Sequence, residues 1–124
     1  MHNETMHENA LTYMKTLLAI PSPTGYTRDA TDYLLSELER LGFSPERTRK
    51  GCVYCELGGE GNGLLLSAHV DTLGLMVRSV KSNGRIRYTH VGGGHDATIE
   101  TENCTIHTRD GRAYPGTVQS TKAS

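Results

Sequence analysis

A continuous apolar run at residues 64–68, Leu-Leu-Leu-Ser-Ala, constrains the fold of this chain more than any other segment. Strands with one solvated face alternate apolar and polar residues, whereas a strand covered on both faces forms an unbroken apolar stretch. Covering layers on both faces of a sheet are typical of α/β proteins. We therefore predict that residues 64–68 form the central strand of an α/β fold, in which helices pack on a mixed sheet.

Two helices are predicted before this strand. The first covers residues 10–19, where apolar residues recur at helical spacing until Pro21. The second follows Thr27 as a possible N-cap and ends at Gly42, whose backbone suits the C′ position of a Schellman motif. Residues 1–9 show no apolar periodicity, so we expect them to form a flexible tail.

After residue 74 the pattern becomes that of β-structure. Asn83-Gly84 separates the runs 75–80 and 85–91, and Asp110-Gly111 separates the runs 104–108 and 113–118. These dipeptides are the strongest short-range signals for β-hairpins with type I′ turns. A shorter strand is expected at residues 52–57, followed by a flexible glycine-rich loop at 58–63.

The charge balance excludes two classes of partner. The chain has 13 basic and 14 acidic residues, a formal net charge of -1, so it has no electrostatic footprint for nucleic acid or an anionic membrane. Three cysteines without a secretory signal favour reduced thiols and a cytoplasmic protein. Cys52 and Cys55 lack a second ligand pair, so two ordinary thiols are favoured over a zinc or redox site.

His69 and Asp71 are the candidate functional residues, because they follow the predicted central strand directly. Open α/β sheets bind ligands at the carboxyl ends of their strands. Residues two apart in extended chain point to the same side, so Asp71 is able to accept a hydrogen bond from His69. From the residues alone, His69 is either a metal ligand or a structural histidine beside a turn aspartate. His90 and the pair His95-Asp96 are expected to be surface or interface residues.

Five linked motifs resemble those of the M42 family of metal-dependent aminopeptidases, of the glutamyl or deblocking type. They are Pro21-Ser22-Pro23-Thr24-Gly25-Tyr26, residues 64–71 ending in Ala-His-Val-Asp, Leu73-Gly74-Leu75-Met76-Val77, Asn83-Gly84 and Val91-Gly92-Gly93. The similarity runs from about residue 10 to the last residue. One departure is Thr72, where many relatives have Glu, and it leaves substrate preference open.

The resemblance implies a two-metal peptidase fold of the zinc-peptidase type, with two divalent ions, zinc or cobalt. His69 would ligate one ion and Asp71 would orient that histidine. Residues 10–74 would begin the catalytic domain, and residues 75–124 would begin an inserted β domain that mediates homo-oligomer contacts.

The resemblance also places the bridging Asp, the Glu-Glu pair with the general base, a further carboxylate ligand and the last His beyond residue 124. The full-length protein is thus expected to remove N-terminal residues from peptide substrates, and residues 1–124 alone are expected to be inactive. Two alternatives remain: a carboxypeptidase or deacylase of the same clan, and a non-enzymatic oligomerisation or binding module.

Overall fold

The computed structural model describes residues 2–119, and the side chains from Thr5 onward. Met1 and residues 120–124 lie outside the described residues. Residues 120–124 belong to the segment that is predicted to begin an inserted domain. The described chain contains three helices and six short strands. The strands pair as three separate antiparallel two-stranded sheets. Within these residues no helix is long and apolar enough to cross a membrane.

Helix α1, His2–Ala19, is longer than the sequence predicted. Residues 2–9, which were expected to form a flexible tail, are the first half of this helix, and their flexibility stays a prediction. That segment contains neither glycine nor proline, so adding turns to the helix costs little once the helix has formed. The hydroxyls of Thr12 and Thr16 donate to the carbonyls of Glu8 and Thr12, one turn earlier in the same helix.

Helix α2, Arg28–Arg40, confirms the predicted helix and its termination. The amide of Phe43 donates to the carbonyl of Leu38 at 3.0 Å, and that of Gly42 donates to Glu39 at 2.9 Å. This bond pair defines the Schellman motif and satisfies carbonyls that the helix leaves free. The helix buries Ala30 and Thr31.

Strands β1, Glu46–Arg47, and β2, Val53–Tyr54, form a hairpin that contacts α2. Arg47 donates through Nη2 to the Thr31 hydroxyl at 3.1 Å and forms an ion pair with Asp32. Its side chain is 27% exposed. The Arg47 guanidinium therefore ties the hairpin to the helix.

The predicted central strand at residues 64–68 is not a strand in this structure. Each strand needs a partner for its backbone N–H and C=O groups, and no described segment pairs with these residues. Leu64, Leu65 and Leu66 are 84%, 87% and 77% exposed. The prediction of a buried, paired strand is therefore wrong for the described residues, and the mixed sheet is not formed among them.

The hairpin of β3, Gly74–Val80, and β4, Ile86–Val91, confirms the prediction made from Asn83-Gly84. The turn type differs. The amide of Gly84 donates to the Lys81 carbonyl, and the amide of Lys81 donates to the Arg85 carbonyl. The loop between these two residues therefore has three residues. Gly84 has φ of 79°, but Asn83 lacks the positive φ that a type I′ turn requires. The loop is a type I turn with a glycine bulge.

The same backbone pattern closes the other two hairpins. Gly51 donates to Thr48 in the β1–β2 loop, and Gly111 donates to Thr108 in the loop between β5, Asn103–His107, and β6, Ala113–Thr117. The predicted hairpin at Asp110-Gly111 is thus confirmed, again without the type I′ turn.

The described chain divides into two compact units, Met1–Gly92 and Gly93–Ser124. The second contains the short helix α3, Asp96–Ile99, and the β5–β6 hairpin. Val118 is buried there and exchanges backbone hydrogen bonds with Thr101 and Glu102. The division falls after Gly92, whereas the sequence predicted a boundary between residues 74 and 75. The start of an inserted domain at residue 75 stays a prediction.

Candidate functional site

The connector between α1 and α2, residues 21–25, is joined to residues 70–72 through three polar contacts. Pro23 and Thr72 form an isolated parallel bridge, and the amide of Thr72 donates to the Ser22 carbonyl at 2.9 Å. The Ser22 hydroxyl donates to the Val70 carbonyl at 2.8 Å, and Ser22 is only 1% exposed. We call residues 22–24 and 70–72, with these contacts, the clamp.

A tight turn places Thr24 at the open end of the clamp. The amide of Tyr26 donates to the Pro23 carbonyl at 2.7 Å, and Gly25 has φ of 86°. A positive φ at the third residue is the mark of a type II turn, which presents the second residue, here Thr24, outward. The Thr24 hydroxyl donates to Asp71 Oδ2 at 2.6 Å, which is the third polar contact.

His69 and Asp71 lie together, as the sequence predicted. His69 Nδ1 is 2.9 Å from Asp71 Oδ1 and 3.0 Å from the Asp71 carbonyl oxygen. Both of these atoms accept hydrogen bonds, so Nδ1 is the donor, and in the neutral imidazole the free lone pair then lies on Nε2. The His69 side chain is 84% exposed and that of Asp71 is 38% exposed. The imidazole is therefore held at Nδ1 by Asp71 while most of the ring is exposed.

The hydrogen bonds to Asp71 favour its ionised form. The Thr24 hydroxyl, and after it the His69 imidazole, lower the pKa of the Asp71 carboxyl below its ordinary value, while partial desolvation opposes them. A carboxylate that accepts two side-chain donors holds its negative charge at neutral pH. Asp71 is thus suited to fix the tautomer of His69.

Apolar residues of α1 flank this pair. An open depression beside it is lined by Met14, Leu17 and Leu18 together with residues 69–72. Met14 and Leu18 are 51% and 72% exposed. The apolar spacing that predicted α1 therefore supplies one wall of the depression.

The described residues fit one ligand of a metal ion and not a complete coordination shell. Among the residues whose side chains are described, no three His, Cys, Asp or Glu side chains converge as a metal site. Cys52, Cys55 and Cys104 form no disulfide bond. His90 lies on β4 with its ring edge-on to Tyr88 at 5.7 Å, and His95 precedes α3.

Sequence reasoning missed Ser22 and Thr24 as parts of the site. It identified the Pro-Ser-Pro-Thr-Gly segment only as a rigid connector. The available signal was a pair of hydroxyl residues in a segment whose backbone angles are restricted by proline. Such pairs are too common to predict the contact of Thr24 with Asp71, 47 positions later.

Comparisons with known proteins identify the family of this chain. Residues 51–124 match the family described as M42 glutamyl aminopeptidase. The YhfE protein of Bacillus subtilis (strain 168) is 39% identical over 107 residues, which cover 85% of this chain and 31% of that protein. The glutamyl aminopeptidase of Lactococcus lactis subsp. cremoris (strain MG1363) is 28% identical over 105 residues, which cover 82% of this chain and 30% of that protein.

A solved structure shares the fold. The TET1 peptidase of Pyrococcus horikoshii superposes with a TM-score of 0.79 at 23% identity, over 92% of this chain and 34% of that chain. This chain therefore spans about a third of the length of these relatives. The family match covers residues 51–124, more than half of the chain. The chain belongs to the M42 glutamyl aminopeptidase family.

Proposed function

We propose that the complete protein containing this chain is a metal-dependent aminopeptidase that removes N-terminal residues from peptides. The observation that carries the proposal is the His69–Asp71 pair, in which Nδ1 is held by a carboxylate and the imidazole side chain is 84% exposed. Similarity to the glutamyl aminopeptidase of Lactococcus lactis supports the reaction class. The residue preference of the enzyme and its cytoplasmic location stay predictions.

His69 would hold one of two divalent ions through Nε2. Histidine ligands of metals commonly donate their other ring N–H to a carboxylate, which fixes the ring and raises its basicity. Asp71 supplies that carboxylate. When bound, the ions would polarise the scissile carbonyl and lower the pKa of a water molecule, which could then attack that carbonyl as hydroxide. Zinc and cobalt are both compatible with an imidazole ligand.

The residues of this chain contribute binding and orientation. His69 would offer the ligating atom, Asp71 would set its tautomer, and the apolar residues of α1 line one side of the depression. Because one imidazole is too few for a catalytic metal site, the 124-residue chain alone should be inactive. The remaining ligands and the general base would come from the part of the M42 proteins that this chain does not match.

We also propose that residues from 75 onward belong to an inserted β domain with a role in self-assembly. The TET1 peptidase of Pyrococcus horikoshii is described as assembling into a tetrahedron or a large octahedral shell. Two consecutive hairpins, β3–β4 and β5–β6, support a β-rich segment here.

The test replaces His69 with Ala in the complete protein. Loss of a protein ligand should remove about one metal ion per active site and abolish hydrolysis of aminoacyl p-nitroanilides, because an open site cannot spare a ligand. Metal content is measured by atomic emission. Asp71→Asn should weaken metal binding or activity roughly 10- to 100-fold with the fold intact.

The control is His7→Ala, which removes an exposed imidazole from α1. It should leave metal content unchanged. Full metal occupancy and near-normal turnover in His69→Ala would show that His69 is a structural histidine, and the proposed function would lose its supporting observation.

A further inference from the structure

We infer that Thr24 is a positioning residue of the metal site, acting through Asp71 on the imidazole of His69. The inference rests on the proposed function, because it assigns a role to Thr24 within that same site. Thr24 lies 47 positions before Asp71 in the sequence, and its hydroxyl donates to Asp71 Oδ2 at 2.6 Å. The other carboxylate oxygen, Oδ1, accepts from His69 Nδ1 at 2.9 Å.

The two hydrogen bonds fix the plane of the carboxylate. A carboxylate held at one oxygen rotates easily about its last torsion, which is broad for aspartate. Donors on both oxygens remove that freedom. The direction in which Asp71 holds the imidazole therefore depends on the Thr24 hydroxyl. Because metal ligation requires Nε2 to point in one direction, this restriction lowers the cost of binding an ion.

Thr24 is itself held in place by the clamp. The turn from Pro23 to Tyr26 sets its backbone, and the buried Ser22 bonds to the Val70 carbonyl. Gly74 leaves no free space next to Pro23, since a Cβ atom there would lie 2.5 Å from the Pro23 Cβ. A donor on such a rigid support holds its geometry better than one on a mobile loop. The Thr24 hydroxyl is thus held in a fixed position, from which it donates to the Asp71 carboxylate.

The experiment compares Thr24→Val and Thr24→Ser in the complete protein. Valine keeps the shape of threonine without the donor, and serine keeps the donor. The zinc dissociation constant, measured by competition with a chromophoric chelator, should rise about tenfold in Thr24→Val, at the low end of the range for groups behind metal ligands. Thr24→Ser should bind zinc as the parent protein does.

Two controls separate positioning from a general effect on the fold. Thr12→Val removes a hydroxyl that donates to the Glu8 carbonyl within α1, and it should leave zinc affinity unchanged. In an Asp71→Ala background, Thr24→Val should cause no further loss, because the carboxylate it acts on is gone. If Thr24→Val does not fold, Thr24→Ala replaces it with the same expected loss of affinity.

An unchanged dissociation constant in Thr24→Val, a loss not restored by Thr24→Ser, or an equal loss in the Asp71→Ala background would overturn the inference. These outcomes differ from failure of the proposed function, in which His69→Ala keeps its metal whatever Thr24 does.

Discussion

Replacing Gly74 with Ala should open the clamp. The added Cβ would lie 2.5 Å from the Pro23 Cβ and 3.2 Å from its Cγ, where carbon atoms prefer separations of about 3.5–4.0 Å. The proline ring cannot rotate away, so the two backbones must separate by about 1 Å. Gly74 has an ordinary φ, which makes the clash the main cost. Overpacking of this kind costs about 1–3 kcal/mol.

Gly63→Ala is the matched control, because a Cβ there meets nothing within 4 Å and the φ is also ordinary. Such a change stabilises by about 0.4–1 kcal/mol through the unfolded chain. Gly74→Ala changes the unfolded chain in the same way, so this contribution cancels and the two variants should differ by the overpacking cost of about 1–3 kcal/mol.

Amide hydrogen exchange reads this difference at the clamp itself. The amide of Thr72 donates to the Ser22 carbonyl, so its exchange rate reports opening of that contact. It should exchange roughly five- to 140-fold faster in Gly74→Ala than in Gly63→Ala, since each 1.4 kcal/mol is tenfold. Equal protection of Thr72 in the two variants would refute the steric argument.

Three further predictions concern the chain alone. Because no three His, Cys, Asp or Glu side chains converge among the described residues, residues 1–124 should release no N-terminal residue from aminoacyl p-nitroanilides in zinc or cobalt and should bind zinc weakly in calorimetry. The exposed leucines 64–66 should make the chain self-associate, which sedimentation velocity would detect; a monodisperse monomer would contradict this. Arg112 and then Thr108 lower the pKa of Asp110, so its contribution to stability is present above about pH 4 and is lost as pH falls through the folded pKa. Asp110→Asn should remove that pH dependence from unfolding curves.

Local signals predicted the elements that depend on nearby residues. The apolar face and Gly42 predicted α2 and its end, and the two Asx-Gly dipeptides predicted both later hairpins. The turn type was wrong because a glycine after Asn or Asp serves a type I turn with a bulge as well as it serves a type I′ turn. The hairpin at β1–β2 has the same glycine, Gly51, but its strands are only two residues long.

Elements that depend on distant partners could not be predicted. The apolar pattern of residues 64–68 indicates a strand that is covered on both faces. A strand also needs a neighbouring strand for its backbone hydrogen bonds, and the described residues do not supply one. At the site, the His-x-Asp pattern and its spacing identified His69 and Asp71. Thr24 escaped detection because no periodicity connects it with Asp71, and only the folded backbone brings the two together.

The clamp also bears on the order of folding. Its side-chain contacts join residues 47 and 48 positions apart, whereas each hairpin closes over three residues. Closing a long loop costs more entropy than closing a short one, and isolated hairpins form within about 1–10 μs. We therefore expect the hairpins to form first and the orientation of His69 to be set late. Substitutions in the clamp should then accelerate unfolding and leave the folding rate almost unchanged.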